Sequence, residues 1–151
     1  MPSAATPREV FHALIEGVAA GRRDELPHLY GEQTHVVHPF DPFRAPPLRS
    51  RTELAAHFAA GGAATAQLER RPVNIVVHET SDPEVIVGEF EYQCTSPATG
   101  EFRIPCIFVL RVRDGEIVES RDYIDPLARP RAYGTVEELS DALREREAHD
   151  A

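Results

Sequence analysis

The chain holds only two cysteines, Cys94 and Cys106. That is too few for a disulfide framework, and they lack the paired spacing of a metal site, so both read as buried, reduced thiols. No apolar run approaches the roughly 20 residues that span a bilayer. Met1-Pro2-Ser3-Ala4-Ala5-Thr6 lacks the charged-then-apolar layout of a secretory leader. A soluble, cytoplasmic protein is therefore expected. Positive charge is also short, with 16 basic residues against 25 acidic ones and a net charge of −9. No clustered basic face is visible, so nucleic acid is excluded as a partner. The basic pairs Arg22-Arg23 and Arg70-Arg71 stand beside carboxylates and read as solvated surface. His35, His38 and His57 have no matching carboxylates at ligand spacing, so no metal and no other cofactor is expected. Internal repeats and low-complexity tracts are absent from the sequence.

What is present suffices for one packed domain: 151 residues, 42% of them hydrophobic, can bury a real core. Thirteen prolines imply many fixed turns. Thr6-Pro7-Arg8-Glu9 is a capping box with proline at the first helical position, where a missing N–H costs nothing. Val10, Phe11, Leu14, Ile15 and Val18 share the face that follows, and Gly21 ends that helix. A short helix is expected over about 24–30, then a strand over 34–38. The stiff, proline-punctuated loop 39–47 carries Phe40 and Phe43. Ser50-Arg51-Thr52-Glu53 opens a further helix with Leu54, His57 and Phe58 on one side, closed by Gly61-Gly62.

From residue 68 the pattern becomes strands, expected over 68–79, 84–95, 101–113 and 116–124. Turns at Ser81-Asp82-Pro83, Ser96-Pro97-Ala98-Thr99-Gly100 and Asp114-Gly115 separate them. Helices followed by an antiparallel meander define an α+β fold, with the helices covering one face of a curved sheet. Beyond Pro126 the chain reads as irregular until the capping box Thr135-Val136-Glu137-Glu138. The expected organisation is one domain over 1–134 and a helical extension over 135–151 whose apolar stripe is thin.

The element order, together with Ala20-Gly21, His38-Pro39, Phe90-Glu91-Tyr92 and Arg121-Asp122-Tyr123-Ile124-Asp125-Pro126, resembles the nuclear transport factor two-like superfamily. That group includes ketosteroid isomerase, limonene epoxide hydrolase, SnoaL-type polyketide cyclases and the phenazine-biosynthesis A/B proteins; the last two are most similar. The resemblance implies a cystatin-like roll, in which a curved antiparallel sheet wraps a cone-shaped apolar pocket closed by the N-terminal helices. The strand register it implies points Ser120, Asp122, Val118 and Ile124 inward from the last strand. Gly88, Phe90 and Tyr92 point inward from the middle strand, with Glu89 and Glu91 outside, and Ile107 and Val109 point inward from the next.

The candidate catalytic residues are Asp122, His38 and His57; Leu54, Phe58, Phe90, Tyr92, Ile107, Val109, Ser120 and Phe40 are the candidate substrate-binding set. An Asp within a strand, between Ser120 and Ile124, runs against strand propensity, and burial in an apolar chamber moves its pKa toward neutrality, which suits proton transfer. The resemblance implies an acid/base carboxylate at Asp122 and a proton-shuttling position at His38. The competing reading of Asp122 is a structural ion pair with Arg103, Arg111 or a helix N-terminus; that of His38, a backbone-bonded loop histidine; that of His57, a satisfied core histidine.

The matches to two named enzymes are incomplete. Ile107 and Leu14 stand where ketosteroid isomerase has its oxyanion-holding Asp and Tyr. Glu89-Phe90-Glu91 and Val36 stand where the epoxide hydrolase needs Arg-x-Asp and a Tyr. The expected function is a cofactor-independent isomerase, cyclase or dehydratase acting on a small hydrophobic cyclic or polyketide-like metabolite. The alternative is a non-catalytic small-molecule-binding or dimerisation module of the same fold. Under either reading a homodimer through the outer sheet face is expected, with no membrane partner.

Overall fold

The structure is a computed structural model that describes residues 3–65 and 67–150. Met1 and Pro2, from the segment read for a leader, and Ala151, from the expected C-terminal extension, lie outside the described residues. The elements run α1 (Pro7–Ala20), a 3-10 turn (Leu26–Leu29), β1 (Tyr30–Val37), β2 (Leu48–Ser50), α2 (Arg51–Ala64), β3 (Glu69–Glu79), β4 (Val85–Ser96), β5 (Gly100–Arg113), β6 (Glu116–Ile124), α3 (Ala128–Tyr133) and α4 (Val136–Asp150).

Local chemistry sets the helix starts. The Thr6 hydroxyl accepts the Glu9 N–H at 3.2 Å, and the Ser50 hydroxyl accepts that of Glu53 at 3.1 Å, each satisfying a donor the helix cannot. Gly21 stops α1 in the left-handed conformation at φ 73°. Three boundaries differ from the sequence expectation. The helix expected over 24–30 is a single 3-10 turn, and Tyr30 already opens β1 with extended backbone. α2 runs through Gly61-Gly62 to Ala64. There the Arg23 side chain lies against Gly62, and the Thr65 hydroxyl donates to the Gly61 carbonyl at 2.9 Å, so the last turn is braced from outside. The stretch after Pro126, read as irregular, winds into α3 until Gly134 ends it at φ 68°.

The fold is α+β, with six strands in the order β2-β1-β6-β5-β4-β3 forming a curved open sheet. β3 to β6 form the antiparallel meander, while β1 returns to lie parallel to β6. That return brings the end of β1, and His38 after it, beside the site strand β6. Register shifts mark bulges between Val73 and Val76 on β3, where Asn74 has φ 54°, and between Arg111 and Val112 opposite β6. Such bulges bend and twist a sheet.

α1 covers the inner face of this sheet. Its Phe11 sits so close over Gly88 that a Cβ there would stand 2.3 Å from the ring. Phe11 meets Phe90 and Phe108 edge-on at 5.7 and 6.5 Å, a favoured aromatic geometry. Cys94 and Cys106 are both buried free thiols. No described residue of α4 is buried, and no described helix is long and apolar enough to cross a membrane.

Alternation on β4 buries Ile86, Gly88, Phe90, Tyr92, Cys94 and Ser96 and leaves Glu89 and Glu91 facing out. On β5 the buried set is Ile104, Cys106, Phe108, Leu110 and Val112, so the inward placement of Ile107 and Val109 is corrected. Phe90 pairs with Cys106 and Gly88 with Phe108, which turns Ile107 and Val109 to the outer face. Val118 is likewise displaced, because the bulge opposite Arg111 and Val112 gives the buried position to Ile117.

Candidate active site

Three neighbouring strands position the carboxylate of Asp122. On β6 it follows Ser120 on the same face; on one side β5 sets Phe108 directly opposite it, and on the other β1 pairs Val36 with Ser120. Asp122 is only 7% exposed. The Ser120 hydroxyl donates to Oδ1, and His38 Nε2 lies 3.6 Å from Oδ2. That distance is just beyond a hydrogen bond and within the range of an ion pair once the imidazole is protonated. Desolvation lifts the Asp122 pKa to about 7, and the Ser120 hydrogen bond opposes the rise only in part. Near neutral pH the group is thus divided between acid and base, the condition that general acid–base catalysis requires.

Neither arginine of the ion-pair reading reaches this Asp. Arg103 is turned to Gln93 and Glu91, and Arg111 to Asp82, Glu84 and Glu119. His38 remains accessible over 25% of its side chain, against 9% for Asp122. Burial holds the His38 pKa below its ordinary value, against a smaller upward pull from Asp41. The His57 ring lies 5.3 Å from that of His38. Its pKa is lowered by desolvation and then by the neighbouring His38 charge. His57 stands at the surface of α2 rather than in the core, with Leu54 buried one turn before it. Phe58 packs toward Tyr30 at 6.0 Å.

Phe90 and Tyr92 line the same interior, 5.0 Å apart edge-on. The Tyr92 hydroxyl is buried without a hydrogen-bond partner among the described residues. Burial pushes its pKa upward, as does the Asp122 charge. Two further groups belong to this interior. Tyr30, expected to tuck inward from a helix, does so from β1 instead: it is 1% exposed, and its phenol is raised by burial and by the charges of Asp122 and Tyr92. Arg70, read as solvated surface, turns inward over the Tyr92 ring at 5.7 Å.

The remaining candidates stand elsewhere. Phe40 is 56% exposed and meets Tyr123 at 5.1 Å. With Ile107, Glu89, Glu91 and Asp125 these two line an open cavity of about 480 Å³ on the outer face of the sheet. Phe40 and Ile107 therefore belong to a surface opposite Asp122, and Val109 faces outward with Ile107.

Residues 11–120 match the SnoaL-like domain. An uncharacterized PhzA/B-like protein of Pseudomonas aeruginosa is 37% identical over 68 residues, which cover 44% of this chain and 48% of that protein. The chain thus spans about half the length of the curated relative it matches. Among solved structures, a proposed isomerase from Bacillus subtilis superposes with a TM-score of 0.72 at 23% identity, over 85% of this chain and 93% of that one. A proposed polyketide cyclase from Pseudomonas putida superposes with a TM-score of 0.66 at 16% identity, over 85% and 98%. At these identities the likeness is one of fold.

Proposed function

The chain belongs to the SnoaL-like domain family, and from that premise we propose that it is a cofactor-independent acid/base enzyme whose proton-transfer group is Asp122. A single observation carries the reading: a buried carboxyl, poised about pH 7, whose polar neighbours are a serine hydroxyl and an imidazole rather than an arginine. Structural carboxylates are normally exposed or paired with a permanent positive charge; this one is buried against a hydroxyl and an imidazole. The isomerase and cyclase fold neighbours support an enzymatic or ligand-binding role of this general kind.

In this reading Asp122 takes a proton from a carbon next to a carbonyl of a small, mostly apolar cyclic or polyketide-like substrate and returns it at a second position. Between the two transfers His38, at 3.6 Å, exchanges the proton held on Asp122 for one from solvent, with the His57 ring beside it. Phe58, Phe90, Tyr92, Leu54 and Ser120 form the walls.

The experiment needs no known product. The protein is incubated in D₂O with a panel of cyclic ketones and β-keto acids, and deuterium uptake next to the carbonyl is followed by NMR. Asp122→Asn is expected to slow uptake by roughly 10²–10⁴-fold, and wild-type uptake to show an inflection near pH 7. Full exchange by the variant would remove Asp122 from the chemistry.

The outer face favours a second role alongside this one. Exposed Phe40, Ile107 and Tyr123 around an open cavity suit a homodimer contact, which sedentary monomers of Ile107→Glu in analytical ultracentrifugation would support. An unchanged mass distribution would refute it.

A further inference from the structure

For a chain with a net charge of −9, one end of the interior is unexpectedly positive. Arg70 on β3 pairs in register with Cys94 on β4, two residues from Tyr92, and its guanidinium lies 5.7 Å from the Tyr92 ring. One of its terminal nitrogens donates to the Val18 carbonyl of α1 at 3.2 Å. Its Nε is buried and has no acceptor among the described residues, and the hydroxyl of Tyr92, itself only 5% exposed, is in the same condition. Arg23, bonded to the Thr65 hydroxyl, and Arg129 from α3 are both close enough for their charge to act on Arg70. None of the three arginines has a carboxylate within 4 Å among the described residues, whereas Arg103, Arg111 and Arg113 of the outer sheet face do.

A desolvated guanidinium with an unused N–H, beside a desolvated hydroxyl with an unused O–H, is costly unless an acceptor completes it. Both groups donate. The complement is an oxyanion, and the apolar surroundings of Tyr92, Cys94 and Cys106 penalise a second negative charge. We infer that Arg70, with Tyr92 beside it and Arg23 and Arg129 close enough to add their charge, forms a subsite for the carboxylate of a small apolar acid. The substrate class narrows accordingly: an alicyclic or polyketide-like carboxylic acid, anchored at Arg70 while Asp122 works on the carbon skeleton. This narrowing rests on the interior reading of the site; the subsite itself does not depend on Asp122 being catalytic.

The test uses cyclohexanecarboxylate and its neutral isostere cyclohexanecarboxamide, titrated into ¹⁵N-labelled protein, with the Tyr92 and Cys94 amides as reporters. Wild type is expected to bind the carboxylate at least roughly tenfold more tightly than the amide. Arg70→Gln is expected to erase that preference, and Arg70→Lys to retain part of it. Asp122→Asn is expected to keep the preference, so loss of exchange activity and loss of anion binding separate the two proposals. Should Arg70→Gln fail to fold, Arg129→Gln must weaken the preference at least threefold. Equal affinity for acid and amide, or a preference indifferent to both arginine variants, overturns the proposal. Tighter binding of methyl phosphate than of the carboxylate would overturn the choice of a monoanion.

Discussion

The two faces of one sheet treat the same functional group in opposite ways. On the inner face Asp122 is stripped of water and its pKa rises to about 7. On the outer side Asp82 and Glu84 lie against Arg111 and Arg113, and hydrogen bonds hold both carboxyls below their ordinary range. Partners, not residue type, decide whether a carboxylate is chemically available. Outside, charge is neutralised by charge at 2.8–3.0 Å. Inside, a hydroxyl and an imidazole leave Asp122 free to exchange a proton.

That contrast can be strained at several points. The largest effect on stability is expected at Gly88, where packing of the inner face leaves no room. Gly88→Ala brings a methyl against the Phe11 ring and should cost about 3 kcal/mol in urea unfolding; a neutral result would mean that α1 is not held there by close packing.

The second effect separates the faces by sign. The folded pKa of Asp122 is raised, so the folded state holds its proton longer than the unfolded chain does. Stability from this group is therefore greatest below the ordinary carboxylate pKa near 3.8 and declines as pH rises through about 7. Asp122→Asn removes that decline. It should be more stable than wild type by about 2 kcal/mol at pH 8, with the gap narrowing toward pH 5. Destabilisation at pH 8 would place Asp122 in a structural network instead. His38 and His57, whose pKa values are lowered, act the other way: their contribution is present above about 6.5 and is lost as pH falls below it.

The smallest effect belongs to the outer face. Arg103, exposed over half its side chain, reaches Glu91 at 3.4 Å. Arg103→Gln should change stability by less than about 0.5 kcal/mol, and a larger loss would show that the outer lattice of charges is cooperative.

The same division explains what could be read from the amino acids. The helix starts at Thr6 and Ser50 and the four long strands follow from local rules, because capping boxes and period-two alternation act over a few residues. The inward placement of Phe90, Tyr92, Ser120 and Asp122 comes instead from the register that the family resemblance implies, and the burial pattern agrees with it. Ile107 and Val109 failed for a non-local reason. The register implied by the resemblance carries no information on a bulge in this chain: an uninterrupted hairpin from the Asp114-Gly115 turn would set Asp122 against Ile107, and the bulge sets it against Phe108. Arg70 failed because charge alone was weighed. Its neighbour Arg71 and the nearby Glu69 suggested solvent, but alternation along β3 sends these neighbours to opposite faces. The α3 helix was obscured by its two prolines' worth of punctuation, Pro126 and Pro130, although proline is tolerated in a first helical turn.

The bulge on β6 has a consequence for how this molecule tolerates change. Ile117 and Asp122 are both buried although an odd number of steps separates them, which an uninterrupted strand forbids. The extra residue therefore works as a parity switch, letting the hairpin end and the reactive end of one strand be addressed to the same face. Removing one residue at Val118 would take out the bulge rather than the site: four steps would then separate Ile117 from Asp122, and an uninterrupted strand keeps both inside opposite Val112 and Phe108. The strand therefore absorbs a single deletion at this point, losing its local twist while Asp122 stays where it is.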